Sequence, residues 1–372
     1  MELASLQDAW PQTGAWLAQP QPLTRGTNNL MYRVEAAQGA FALRISGEHV
    51  DLRRLRFEHD ILSQLDAAGL PFALPTPLLT AQGDLAARVE PTEDAAGEPA
   101  LATLTPLIAG EHPQRDDLAQ AVGAGEALGL LDDALEQLAL AQPDDAIDWR
   151  STGDLAQCHP LVPDPLAALA GLPLPTDDLT RLREDYDSLV AALPALYASL
   201  PRQVCHEDYD PSNVLMVGER VTGVLDWEFC ALDLRAMDLV VALTWWPVER
   251  FGSGDEWPII AALLWGYVRR RALDDAEVAT IPTLFRLRAY TSLLHRLGRY
   301  RQGLSPIDDV VWRATAALER DAWLRANGER LTQMVGEALR QAREGVAVSD
   351  GATDGSGEAI GWRAIFGEDS LA

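Results

Sequence analysis

Apolar and polar positions change their spacing several times along the chain. Between Leu23 and Ser46, strand-forming residues run over Asn28–Val34 and again over Ala40–Ile45. The polar stretch Glu35-Ala36-Ala37-Gln38-Gly39 between them predicts a hairpin. Leu52, Leu55, Ile61, Leu62 and Leu65 then recur at helical spacing, so a helix is predicted over 52–68, stopped by Gly69 and Pro71. Strand and loop follow from Leu78 to Leu107. After Ile108-Ala109-Gly110 the composition shifts. Helices are predicted over Asp116–Leu140 and Asp177–Ser199, with a Pro/Asp-rich stretch between them. Val204–Asp226 reads as two short strands around a loop. The remainder to about Arg343 reads as mostly helical, including Thr283–Tyr300, and carries most of the eleven tryptophans. Trp245, Trp246, Trp257 and Trp265 are assigned to core and cleft lining. Residues 344–357 are rich in Gly, Ser and Asp, a composition that predicts disorder, with an apolar island at Ile360–Phe366 beyond.

This order gives an α+β chain. A small N-terminal lobe with an antiparallel sheet is expected over 1–107, a larger and mainly helical lobe over 108–345, and an acidic tail over 346–372. The 372 residues suit two lobes better than one. The most apolar runs, Leu239–Val248 and Ile259–Val268, fall short of the ~18 residues a membrane helix needs. Met1-Glu2-Leu3-Ala4 has neither a basic nor an apolar leader segment, so no secretory signal is expected. Cys158, Cys205 and Cys230 are scattered and odd in number, which predicts neither a disulfide framework nor a zinc site and places the chain in a reducing cytoplasm. A formal charge of −26 argues against nucleic-acid binding. All 30 basic residues are arginine. Any catalytic cation must therefore be Arg or His.

The chemistry concentrates in Val204-Cys205-His206-Glu207-Asp208-Tyr209-Asp210-Pro211-Ser212-Asn213, followed thirteen residues later by Asp226 in Val224-Leu225-Asp226-Trp227-Glu228. A hard divalent cation such as magnesium takes oxygen ligands, and Asn213 and Asp226 supply a neutral and an anionic one. Asp208, left unliganded, suits a base that orients a hydroxyl and takes its proton late in phosphoryl transfer. Asp and Asn also serve as turn and cap residues, but their ordered spacing favours the chemical reading. No second His/Asp cluster completes a two-metal hydrolase.

The segment resembles the Brenner motif of the aminoglycoside phosphotransferase superfamily, which includes type II homoserine kinases and choline kinases. The likeness extends over roughly residues 20–340. Gly26-Thr27-Asn28-Asn29 resembles the family's phosphate loop. Phe41–Ile45 resembles the strand bearing its phosphate-binding cation, with Arg44 in the lysine position and Glu58 as its partner. Leu104–Gly110 resembles the hinge that receives adenine through backbone groups, here Thr105 and Leu107. Asp233–Leu239 resembles a segment whose last acidic residue, Asp238, braces the catalytic loop, with His206 in a supporting role. Glu207 replaces the family's usual glycine, and Leu234 its usual proline.

The resemblance implies a bilobal protein-kinase-like fold and a cytoplasmic kinase, monomer or homodimer. It would use ATP and Mg²⁺ on a small hydroxyl acceptor, with no nucleic-acid or membrane partner. Homoserine is the first expectation, and an aminoglycoside or choline-type amino alcohol the alternative. A nucleotide-binding module without turnover is the alternative of another class. Asp210, Trp227, Glu228, Arg288 and His295 are expected acceptor contacts. Arg288, Ser292, His295 and Arg299 share one stripe of the predicted helix, which suits an acceptor carboxylate.

Overall fold

The computed structural model describes residues 3–23, 29–46, 52–89, 100–138 and 153–344. The expectations for Gly26, Thr27 and Asn28, and for the tail 346–372, lie outside the described residues. The chain divides into two compact units.

The first unit holds the chain up to Glu111 together with Leu215–Val217 and Thr222–Glu228. Its sheet contains β1 (Gln21–Pro22), β2 (Leu30–Ala36), β3 (Gly39–Ile45), β4 (Ala87–Val89) and β5 (Ala100–Pro106), in the antiparallel order β1-β2-β3-β5-β4. The β2–β3 turn is tighter than predicted. Pairing continues to Ala36 opposite Gly39, leaving only Ala37 and Gln38 in the turn. Gly39 closes it at φ 132°, a conformation that glycine adopts without a Cβ clash.

Strand periodicity sorts the faces of β3. Phe41, Leu43 and Ile45 are buried against Trp10, Val34 and Leu104. Arg44 points the other way by the same alternation. The predicted helix appears as α1 (Leu52–Ala68), whose buried stripe carries Arg54 and Glu58 among Leu55, Ile61, Leu62 and Leu65. Two charged side chains on an apolar stripe signal a site or a brace, because burying an unpaired charge is costly.

The second unit is mainly helical. It contains α2 (Leu118–Glu136), α3 (Pro165–Ala170), α4 (Thr176–Ser199), α5 (Met237–Trp245), α6 (Glu256–Val268), α7 (Asp275–Arg301) and α8 (Ile307–Arg343). The helices α2 and α6 pack unusually closely. A Cβ on Gly125 would lie 2.1 Å from the Leu263 carbonyl oxygen, and one on Gly266 would lie 2.0 Å from that of Val122. Larger residues there would force the helices apart. The apolar run of α6 is buried over nearly its whole circumference, each fully buried Leu contributing roughly 1.5–3 kcal/mol. Among the described residues, no helix is long and apolar enough to cross a membrane.

Helix α7 begins eight residues before the predicted start. Asp274 and Glu277 form a reciprocal capping box, and Pro282 sits inside the first turns rather than ending a helix. The segment from Val204 to Asp226 also holds more strand than expected. Two strands, β6 (Arg202–Cys205) and β9 (Ala231–Leu234), pair antiparallel. Between them in sequence, β7 (Val214–Val217) and β8 (Arg220–Val224) form a hairpin around Gly218, at φ 61°.

Candidate active site

The two units each gather part of the chemistry. In the first, Arg44 and Glu58 form a two-pronged ion pair, Nη1 to Oε1 at 2.8 Å and Nη2 to Oε2 at 3.0 Å. Burial by itself would lower the Arg44 pKa. The Glu58 carboxylate, with the charges of Asp226 and Glu228, more than reverses this and the net shift is upward. The Arg44 Nε is buried without a hydrogen-bond partner among the described residues.

The segment Asp226-Trp227-Glu228 is tied down by groups far away in sequence. Arg54 donates to the carbonyls of Trp227 (3.1 Å) and Glu228 (2.5 Å), and Asn29 donates to the Glu228 carboxylate at 2.6 Å. Trp227 is fully buried and its indole N–H donates to the Val224 carbonyl. That removes Trp227 from the expected acceptor contacts, because an apolar ring with its one donor spent belongs to the core. Arg54 was missed by sequence reasoning. Its signal was available: it lies four residues before Glu58, on the same stripe as Leu55, Ile61 and Leu62. Towards the end of β5, Thr105 pairs with Ala42, and just beyond the strand the Leu107 N–H donates to the Ala40 carbonyl at 3.0 Å. Leu107 therefore has its carbonyl, not its amide, to offer a base.

In the second unit, β6 leads into the loop His206–Asn213. Asp238, in the first turn of α5, accepts from the His206 N–H at 2.6 Å and the Glu207 N–H at 2.7 Å. The His206 Nδ1 accepts from the Asp208 N–H at 3.2 Å, so that nitrogen carries no proton. Asn213 Nδ2 donates to both the carbonyl and the Oδ2 of Asp208, each at 2.9 Å. Arg288 of α7 holds the other carboxylate oxygen, Oδ1, at 2.9 Å. The Asp208 carboxylate is thus oriented from both sides. With its nitrogen turned to Asp208, Asn213 keeps its amide oxygen for a hard cation, a donor set that fits magnesium.

The remaining candidates separate. Asp210 caps the turn at Pro211–Asn213 through Ser212 and meets Arg115 at 3.4 Å. His295 packs edge-on against Phe229, ring centroids 5.3 Å apart. Glu228 is engaged with Asn29, as above.

Among the described residues, two other than glycine have left-handed backbone: Glu207 at φ 67° and Asp226 at φ 59°. Such a conformation costs roughly 1–2 kcal/mol for a residue with a Cβ, and it concentrates at functional sites. At 207 the resemblance implies glycine, and the backbone shows why that residue would be favoured.

Beneath the loop lies a set of buried carboxyls. Asp238 is pushed up to about 6 by burial, against the two N–H bonds it accepts. Burial and the Asp238 charge push Asp132 well up. The Asp132 Oδ2 accepts from the Tyr267 hydroxyl at 2.8 Å, while Oδ1 is buried and meets no N–H or O–H donor among the described residues, with the Asp238 carboxyl acting on the group. Of the two carboxyls, burial and the Asp238 charge favour Asp132 as the one to hold a proton. Burial and the charge of Asp233 likewise push up Glu207, which is 3% exposed. Asp233 itself accepts from the Tyr197 hydroxyl at 2.5 Å.

Carboxyls raised in the folded state give stability that is present below their unfolded values, near pH 4, and lost as pH rises through the folded values. Asp132→Asn can make the same hydrogen bonds without ionising. Its thermal midpoint relative to the unsubstituted protein is expected to rise with pH from about 4 upward. The gain should be about 1.4 kcal/mol per pH unit until the native carboxyl ionises. A difference that stays flat from pH 4 to pH 8 would show that Asp132 is not the proton carrier.

A sequence model of the phosphotransferase enzyme family (APH) matches residues 20–273, more than half of the chain. The chain belongs to this family. The phosphotransferase is 28% identical over 275 residues to a homoserine kinase of Nitrobacter winogradskyi, covering 74% of this chain and 77% of that one. To a homoserine kinase of Allorhizobium ampelinum it is 29% identical over 279 residues, covering 74% and 78%. Among solved structures it resembles the amicoumacin kinase hAmiN in complex with AMP-PNP, Ca²⁺ and Ami. There the TM-score is 0.63 at 18% identity, over 86% of this chain and 92% of that one. It also resembles a microcompartment-associated aminopropanol kinase, with a TM-score of 0.62 at 17% identity, over 89% and 98%. These likenesses carry the protein-kinase-like α+β fold. The phosphotransferase is a small-molecule kinase, with ATP as the donor its family implies.

Proposed function

We propose that this phosphotransferase moves the γ-phosphoryl of ATP to the hydroxyl of a small amino-acid-like alcohol, with homoserine as the first candidate. The observation that carries the reading is the Asp208 carboxylate, fixed between Asn213 and Arg288 on a loop hung from Asp238. A carboxylate so placed can orient a hydroxyl and take its proton as the phosphoryl leaves. Arg44, braced by Glu58, offers the nucleotide phosphates a fixed positive charge. Asn213 and Asp226 would hold magnesium, which when bound neutralises phosphate charge. Homoserine is preferred because both of the compared bacterial relatives carry that name.

The test is ADP release with Mg²⁺ across a panel of hydroxyl compounds: L-homoserine, choline, ethanolamine, 3-aminopropan-1-ol and an aminoglycoside. Acceptor-dependent release, highest with L-homoserine, is the expected outcome. Highest release with another compound would move the acceptor assignment. Nucleotide binding with no release for any compound would favour a binding module instead.

A further inference from the structure

Near Asp208 the second unit is crowded with guanidinium groups. On α7, Arg288, Ser292 and Arg296 follow at intervals of four and share one stripe. Arg313 of α8 reaches across and donates to the Ser292 hydroxyl at 2.7 Å. Each of the other cations has a carboxylate. Arg288 holds Asp208 at 2.9 Å, Arg115 holds Asp210 at 3.4 Å, and Arg296 lies 3.7 Å from Asp309. Arg313 is different. Among the described residues its contacts are the Ser292 hydroxyl and two ring faces, Trp245 with its centroid at 4.5 Å and Trp312 at 4.9 Å.

Two donors in the surroundings remain unspent. The Trp245 Nε1 and the Arg288 Nε are both buried without a hydrogen-bond partner among the described residues. A guanidinium that gives up water for aromatic faces and other cations is electrostatically unsatisfied. Burial, followed by the charges of Arg296 and Arg288, brings the Arg313 pKa down to about 10, with Asp208 and Asp210 opposing this only in part. An anion is the natural complement to such a group, and Asp208 lies close enough to act on it. Ser292 is one helical turn, about 5–6 Å, from Arg288. Arg288, which holds Asp208, and Ser292, which holds Arg313, are thus one turn apart, a spacing that suits a short acceptor.

We propose that Arg313, with Ser292 and the Trp245 indole face, is the anchor for the carboxylate of the acceptor, which makes the preferred substrate a short hydroxy amino acid or hydroxy acid. This rests on the kinase reading above and adds the group that sets acceptor class. A planar fork over an aromatic face suits a two-pronged hold on a carboxylate.

The test compares L-homoserine with 3-aminopropan-1-ol, the same skeleton without the carboxylate. In Arg313→Gln, the preference for homoserine (the ratio of kcat/KM values) is expected to fall by about 10- to 100-fold, the range for a charge-assisted hydrogen bond. Most of the loss should appear in the KM for homoserine. Arg313→Lys should recover part of it, since it keeps the charge and loses the fork. A ratio that stays constant in Arg313→Gln overturns the proposal, as does an equal loss with both acceptors. Calorimetric titration of L-homoserine into the full chain with AMP-PNP and Mg²⁺ gives a readout free of turnover. Binding weakened in Arg313→Gln supports the anchor even if ADP release fails for every alcohol, a result that would sink only the kinase reading. Equal or absent binding in both proteins overturns the anchor.

Discussion

Asp208→Asn is expected to lower the turnover number by about 10²-fold or more, the scale for removing a positioned base. The substitution is nearly isosteric, so the partners of Asp208 decide how the result is read. Asn213 donates to Oδ2 and Arg288 to Oδ1, and an asparagine can retain only one of these as an acceptor. Arg288 then loses its carboxylate. The nucleotide KM should change little, because Arg44 and its Glu58 brace belong to the other unit. A steady-state ADP assay on both proteins, with thermal midpoints as a control, checks this. Turnover within threefold of the unsubstituted protein would falsify the assignment of Asp208 as the base.

Asp238→Ala should be the most damaging single change to the fold of the second unit. It strips the acceptor from two backbone N–H groups, those of His206 and Glu207, in a place closed to bulk solvent. It also removes the carboxyl that faces Asp132 in the buried set. Each buried orphan costs about 1–3 kcal/mol, and losing one member of a buried charged network costs about 3–5 kcal/mol in total. Urea unfolding should show a loss in that range. Asp238→Asn, which retains one acceptor oxygen, should lose about half as much. A loss below about 1 kcal/mol for the alanine variant would mean that the loop holds itself.

The parts of the site that were legible in the sequence are those fixed by local spacing. The strand alternation that turns Arg44 away from Leu43 and Ile45 is a period of two. The stripe that brings Glu58 inward is a period of 3.6. Asp208 and Asn213 share one short loop, and Asp226 follows the hairpin beyond it. What was not legible depends on contacts between distant segments. Arg54 meets Trp227 and Glu228 across more than 170 residues, and nothing in the helix pattern names that partner. Asp132 reads as one more polar residue of a helix, until Tyr267 and Asp238 close on it. Pro282 marks a helix end in most sequences, and the capping box at Asp274 overrides it. The hairpin β7–β8 was hidden because its strands are short and its turn rests on a single glycine. Arg313 escaped notice for a related reason: its proposed role rests on having no carboxylate partner among the described residues, which spacing cannot reveal.

The guanidinium at position 44 also decides which chemistry can report on this protein. The sequence offers no side-chain amine. Nucleotide analogues that label kinases by acylating a lysine in the phosphate site will leave this one unmarked, and reversible acetylation has no foothold there. Vicinal dicarbonyl reagents, which condense with guanidinium groups, are the matching probe, and bound nucleotide should shield Arg44 from them. Because an arginine held by a carboxylate does not deprotonate at any physiological pH, the charge that Arg44 would offer the phosphates under the proposed function is permanent.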